Sequence, residues 1–184
     1  CAWTPRPGRP QDATVAGISM IEPLGYTLRH ELSSGSSAQI FLATQKSTGR
    51  DVVAKILDPE TAIGKFDDEA FIRETEIVAS MNHPHVIRIH DYGVQDGTPF
   101  VVMDYLRRGD LTQKLAKGLE LHELIRVMNQ LASALDYAHA KDVVHLDIKP
   151  GNILFGDGMV AVLSDFGIAQ FQFRKNGAAE RRTV

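Results

Sequence analysis

The sequence predicts an α+β chain, with strands dominant up to about residue 104 and helix dominant after it. Three observations carry this. Short β-branched and aromatic runs, separated by turn chemistry, fill residues 24–57. One helical pattern, Phe66 to Met81, interrupts the strand-like runs and is followed by two more of them. Leu121 to Ala140 is then the strongest amphipathic pattern in the chain.

Each element has its own signal. Residues 1–23 read as a flexible leader: Pro5, Pro7, Pro10 and Gly8 break any period, and a secretory signal's apolar centre is missing. Met20 is expected to be the natural start. Tyr26 to Leu32, Ile40 to Ala43 and Val52 to Leu57 are strand runs, with Ser47-Thr48-Gly49-Arg50 as a turn. They predict a three-stranded antiparallel meander. In the helix over 66–81, Ala70, Phe71, Ile77, Val78 and Met81 recur at helical spacing, and His83-Pro84 stops it. Val86 to Tyr92 and Phe100 to Asp104 are strands joined through Gln95-Asp96-Gly97-Thr98, where Asp-Gly is a hairpin signal. In the long helix, Leu121, Leu124, Ile125, Met128, Leu131, Leu135 and Ala138 share a face. Two short apolar runs follow, Ile153 to Phe155 and Val160 to Leu163, around Gly156-Asp157-Gly158. Pattern fades beyond Phe171, where Arg174, Lys175, Arg181 and Arg182 make the chain locally basic.

Composition excludes several classes. Of 184 residues, 43% are hydrophobic and 23% charged, ordinary values for a globular protein and unlike disordered, collagenous or disulfide-scaffold chains. The net charge, 20 − 23 = −3, argues against bulk electrostatic binding of nucleic acid. Cys1 is the one cysteine, so no internal disulfide forms, which fits a reducing, cytoplasmic setting. No apolar run approaches the ~18 residues of a membrane span.

The chemistry concentrates in His145-Leu146-Asp147-Ile148-Lys149-Pro150-Gly151-Asn152, followed thirteen residues after Asn152 by Asp165-Phe166-Gly167. Two carboxylates, one amide and one lysine sit in loops bordering strands. Carboxylate and amide oxygens suit Mg²⁺, and a lysine neutralises phosphate charge. The set points to phosphoryl transfer, in which positioning and charge stabilisation supply most of the catalysis.

On these residues the chain resembles the bacterial serine/threonine branch of the protein kinase family, over roughly residues 24–184. The resemblance implies a bilobal fold. Residues 24–104 would form an N-lobe of a five-stranded antiparallel sheet plus one helix. Residues 105–184 would form a partial, mainly helical C-lobe ending in the activation segment. It implies ATP and Mg²⁺ as cofactors, with Mn²⁺ as an alternative metal, and a protein substrate. Asp147 would orient or accept the proton of the attacking hydroxyl, and Lys149 would contact the γ-phosphate. Asn152 and Asp165 would hold the metal, and His145 and Phe166 would pack in the spine between the lobes.

Lys55 shares a strand face with Val53 and Leu57, a costly place for an unpaired ammonium. Glu74 falls on the buried arc of the 66–81 helix, whereas Glu76 points about 160° away. The family pairs such a lysine with a helix glutamate, so Glu74 is its expected partner; two snorkelling surface charges are the alternative. The family's Gly-x-Gly-x-x-Gly loop aligns with Ser33, Gly35 and Ala38, of which only Gly35 is glycine. Small residues still let backbone amides approach phosphate, with less freedom at positive φ. A serine-rich hairpin without a ligand would look the same in isolation. By the resemblance, Met103 borders the adenine pocket and Asp104 to Leu106 offer it backbone hydrogen bonds. Ile40, Val53 and Leu154 would sandwich the base.

Leu146 departs from the family, whose usual arginine pairs with a phosphate on the activation segment. Activity is therefore expected not to depend on phosphorylation of Thr183 through that contact. A two-histidine metal site at His83 and His85 is a minor alternative reading, and Met103 and Met128 are core residues by default. Two other functional classes fit in part. A small-molecule kinase of the aminoglycoside or choline type shares His145, Asp147 and Asn152 but not Lys149 or Asp165-Phe166-Gly167. A pseudokinase binding module fits Leu146 and the altered glycine loop but not the intact Lys55, Glu74, Asp147, Asn152 and Asp165. A whole kinase domain has roughly 250 residues, so the chain is expected to stop inside the activation segment. Apolar side chains of the 121–140 helix would then be exposed, and the fragment would be poorly soluble or inactive alone.

Overall fold

The computed structural model describes residues 21–35, 37–59 and 66–166. The leader up to Met20, Ser36, Gly167 and the stretch containing Thr183 lie outside the described residues.

Five strands form the first sheet: β1 (Tyr26–Ser34), β2 (Ala38–Gln45), β3 (Asp51–Leu57), β4 (Ile89–Gln95) and β5 (Thr98–Asp104), in the order β1-β2-β3-β5-β4 with antiparallel neighbours throughout. The meander and the later hairpin therefore join edge to edge through β3 and β5. The Asp96-Gly97 turn has φ of 51° and 74°, the left-handed pair that a two-residue hairpin requires. β4 starts three residues later than the sequence pattern predicts. Val86 instead bridges Leu163, with the Ile87 N–H donating to the Leu163 carbonyl at 2.9 Å. Alternation along β3 sends Val53, Lys55 and Leu57 to the inner face, and Val52, Ala54 and Ile56 to an outer cluster with Phe41 and Phe100.

Helix α1 spans Asp68–Ala79, inside the predicted 66–81. Asp67 caps it, accepting the Ala70 N–H at 3.0 Å, and Asp68 and Glu69 place negative charge in the first turn. Phe66 lies before the cap and packs on Phe71, ring centroids 5.5 Å apart. It is a hydrophobic staple rather than a helical residue.

The remainder holds α2 (Leu111–Lys117), α3 (Leu121–His139) and a small antiparallel pair, β6 (Ile153–Phe155) and β7 (Ala161–Leu163). The sequence pattern did not reveal α2. It has seven residues, is capped by Asp110 through the Gln113 N–H at 2.8 Å, and ends at Gly118 with φ 87°. Such a helix is too short for a period to be counted. Helix α3 begins with the Glu120 N–H bonded to the Glu123 carboxylate at 3.0 Å.

The buried stripe of α3 is Val127, Leu131, Ala134 and Ala138. The predicted stripe holds at Leu131 and Ala138 and is corrected elsewhere, and the helix does expose apolar side chains, as expected. Leu121, Ile125 and Met128 are 72%, 53% and 55% exposed, so Met128 is not a core residue. Both arcs are apolar, and only the placement of β7 selects between them. One core joins the inner sheet face, Phe71 and Val78 of α1, this stripe of α3, and β6 and β7. No helix among the described residues is long and apolar enough to cross a membrane.

Candidate active site

The small hairpin builds the centre of the site. Ile153 pairs with Leu163 and Phe155 with Ala161, so the residues just outside each strand meet at one end. The Ser164 N–H donates to the Asn152 carbonyl at 2.9 Å and the Ser164 hydroxyl bonds the same oxygen at 3.0 Å. This explains the thirteen-residue spacing. Two three-residue strands and their turn return Asp165 beside Asn152. The hairpin is held from both sides, by Phe155 N–H to the Gly109 carbonyl and Leu163 N–H to the His85 carbonyl, each 2.9 Å.

Lys55 reaches this end from β3. Its side chain is 9% exposed, and Nζ lies 2.6 Å from Asp165 Oδ1. Sequence reasoning rightly required an anion for this ammonium, and Asp165 supplies one. Glu74 is half-buried on α1, while Lys55 is paired with Asp165. The reason lies in the tertiary fold. Asp165 has φ 61°, a left-handed turn that delivers its carboxylate to the strand. Burial raises the Asp165 pKa, but Lys55 by charge and hydrogen bond, with the Lys149 charge added, outweighs it and holds the carboxyl below its ordinary value.

Asp147 is the second carboxylate. Lys149 Nζ lies 2.6 Å from its Oδ2, and Asn152 Nδ2 donates to that oxygen at 3.0 Å and to the Asp147 carbonyl at 2.9 Å. Burial again raises the pKa, and the Lys149 and Asn152 hydrogen bonds with the Lys149 charge bring it below the ordinary value. Leu146, immediately before, has φ 64°, a strained conformation for leucine costing roughly 1–2 kcal/mol. His145 is buried. Its Nε2–H donates to the Ser164 carbonyl at 2.8 Å, its Nδ1 accepts the Asp147 N–H at 3.2 Å, and its ring lies 4.6 Å from that of Phe166. Desolvation lowers its pKa despite the Ser164 bond and the Asp165 and Asp147 charges, so it is the neutral Nε2–H tautomer. It positions the loop.

Between the two lobes lies a cleft. Ser33, Ile40, Val53 and Lys55 line it from the first sheet, Met103, Asp104 and Leu106 from β5 and the segment after it. Leu154, Asn152 and Asp165 line it from the hairpin, together with Gly151 and Ser164, which sequence reasoning did not single out. Ser164 could have been found as the residue preceding Asp165. Gly35 and Ala38 do not line the cleft: Gly35 sits at the hairpin tip, its N–H bonded to the Ala38 carbonyl at 2.9 Å, and Ala38 packs in the core.

The donor set fits Mg²⁺. Asn152 Oδ1 and Asp165 Oδ2 take part in none of the hydrogen bonds above and keep their acceptor capacity. Two oxygen ligands are what a metal completed by water and phosphate requires. At His83 and His85 the geometry opposes a metal. His83 Nδ1 accepts the His85 N–H and its Nε2 meets Ser133 Oγ, both at 3.2 Å, while His85 Nδ1 donates to the Ala161 carbonyl at 2.8 Å.

Fold and site together define a chain of the bilobal kinase class. The protein kinase domain model matches residues 26–183, and the chain belongs to that family. Its relatives include the serine/threonine-protein kinase PknI of Mycobacterium tuberculosis, 33% identical over 154 residues, covering 79% of this chain and 26% of the relative. PknF of the same organism is 32% identical over 153 residues, covering 79% and 32%. The crystal structure of the M. tuberculosis PknI kinase domain superposes with a TM-score of 0.70 at 32% identity, covering 83% of this chain and 64% of that one. The chain thus spans about a quarter to a third of the length of these curated relatives. The likeness to serine/threonine kinases does not favour the small-molecule-kinase or pseudokinase alternatives.

Proposed function

We propose that the protein transfers the γ-phosphoryl group of ATP to serine or threonine hydroxyls of protein substrates, in the cytoplasm. The observation that carries this is a pair of lysine–carboxylate contacts of 2.6 Å, Lys55–Asp165 and Lys149–Asp147, the second bonded to Asn152, with Lys55, Asp165 and Asn152 lining one cleft.

The base of ATP fits between Ile40 and Val53 on one side and Leu154 on the other. Lys55 meets phosphate from the sheet side. Asn152 and Asp165 would hold Mg²⁺, which when bound neutralises charge on the phosphate oxygens. Asp147 stays ionised at neutral pH, because its pKa lies below the ordinary value. It is therefore a weak base, and its work is to align the attacking hydroxyl and accept the proton late. Lys149, beside it, faces the charge that moves with the phosphoryl group.

Labelled phosphate transfer to a protein substrate tests this in the full-length protein. Asp147→Asn keeps the shape but removes the acceptor, and is expected to lower turnover by about 10²–10⁴-fold. An unchanged rate would overturn the assignment.

A further inference from the structure

The segment that leaves β5 along the cleft is tied to the first sheet at both ends. At its start, His90 Nε2 on β4 lies 2.6 Å from Asp104 Oδ1. At its end, Arg107 bonds Asp51 Oδ2, at the start of β3, also at 2.6 Å. Between them the Arg107 guanidinium lies over the Tyr105 ring, 5.7 Å from its centroid. β5 itself ends at Asp104, and the Arg108 N–H donates to the Phe155 carbonyl of the hairpin at 3.3 Å. Residues 104–107 thus cross between lobes with side-chain contacts fixing them to β3 and β4.

We propose that His90 and Asp51 are positioning residues for the nucleotide: they brace residues 104–107 so that the backbone groups of Asp104 and Leu106 are pre-set to meet the adenine edge. This rests on the reading of the cleft as an ATP site. Neither residue lines the cleft. Arg107 is largely exposed, and an exposed ion pair adds little to folding stability. Two short contacts on four consecutive residues instead restrict the direction of cleft-lining backbone groups, and hydrogen bonds to a base are directional. The Asp104 carboxylate is also drawn toward β4. A braced strand binds adenine with less ordering cost than a loose one.

The experiment measures adenosine and MgATP affinity in the full-length protein with Asp51→Asn, His90→Gln, and the charge swap of Asp51→Arg with Arg107→Asp. Adenosine lacks phosphates and isolates the adenine contacts. Each single variant is expected to weaken both ligands by the same factor, about two- to fivefold. The melting temperature should barely move, and KM for ATP should rise while kcat holds. The swap should restore affinity. Unchanged affinity in both single variants overturns the proposal. So does a loss confined to MgATP, which would reflect charge at the phosphates, or one that the swap leaves unrestored. If the wild type binds neither ligand, the ATP reading itself falls and the brace with it.

Discussion

At the residue scale, Lys55 shows how charge and burial together dictate contact. An ammonium 9% exposed on an apolar strand must meet a carboxylate, and Asp165 is the one the hairpin delivers. Lys55→Met is expected to reduce phosphoryl transfer by about 10²–10³-fold, the loss typical of one preorganised electrostatic contact; wild-type turnover would refute its role. His145 carries a pH prediction. Its folded pKa lies below the ordinary 6.5, so the unfolded chain binds the proton first. Its contribution to stability is complete above 6.5 and declines as pH falls from there toward the folded value. An NMR titration of the His145 ring should therefore show a midpoint below 6.5, and one at or above it would contradict the burial argument. Leu146 leaves no cation before Asp147 to bind a phosphate, so Thr183→Ala should leave turnover unaltered. A fall of orders of magnitude would show another receptor for that phosphate.

Elements divide by how much of their stability is local. Asp67, the Phe66 staple and the acidic first turn are all readable near α1, and the helix lies within two residues of its predicted ends. The face that α3 buries was only partly legible, because Leu121, Ile125 and Met128 are as apolar as Val127 and Ala134. Leu131→Ala should cost about 2–5 kcal/mol in denaturant unfolding, and Met128→Ala within about 0.5 kcal/mol. Equal costs would mean that the two arcs are buried alike. Helix α2 depends on Asp110, a buried cap whose replacement by alanine should cost about 1 kcal/mol.

For the whole molecule, the decisive feature is that the site is assembled from both lobes. Lys55 comes from β3 and Asp165 from beyond β7, 110 residues apart in sequence. A ligand bridging them stabilises both. MgATP at one hundred times its Kd should raise the unfolding free energy of the full-length protein by about 2.7 kcal/mol, visible as a higher Tm. Lys55→Met should remove most of that rise, and an unchanged rise would separate nucleotide binding from the inter-lobe pair.

The sequence by itself determined the longer elements and pointed to the chemistry. Period and turn residues mark the strands, α1 and α3, and the motif from His145 to Asn152 with Asp165 marks the groups proposed to react, because these signals are local in the chain. Only the tertiary structure decided which partners meet. It joined the two strand groups through β3 and β5, turned Asp165 to Lys55, and buried Val127 and Ala134 of α3 beside the predicted Leu131 and Ala138. It also tied residues 104–107 to His90 and Asp51. Each is a choice among residues of equal local fitness, and packing across long sequence separations resolves it.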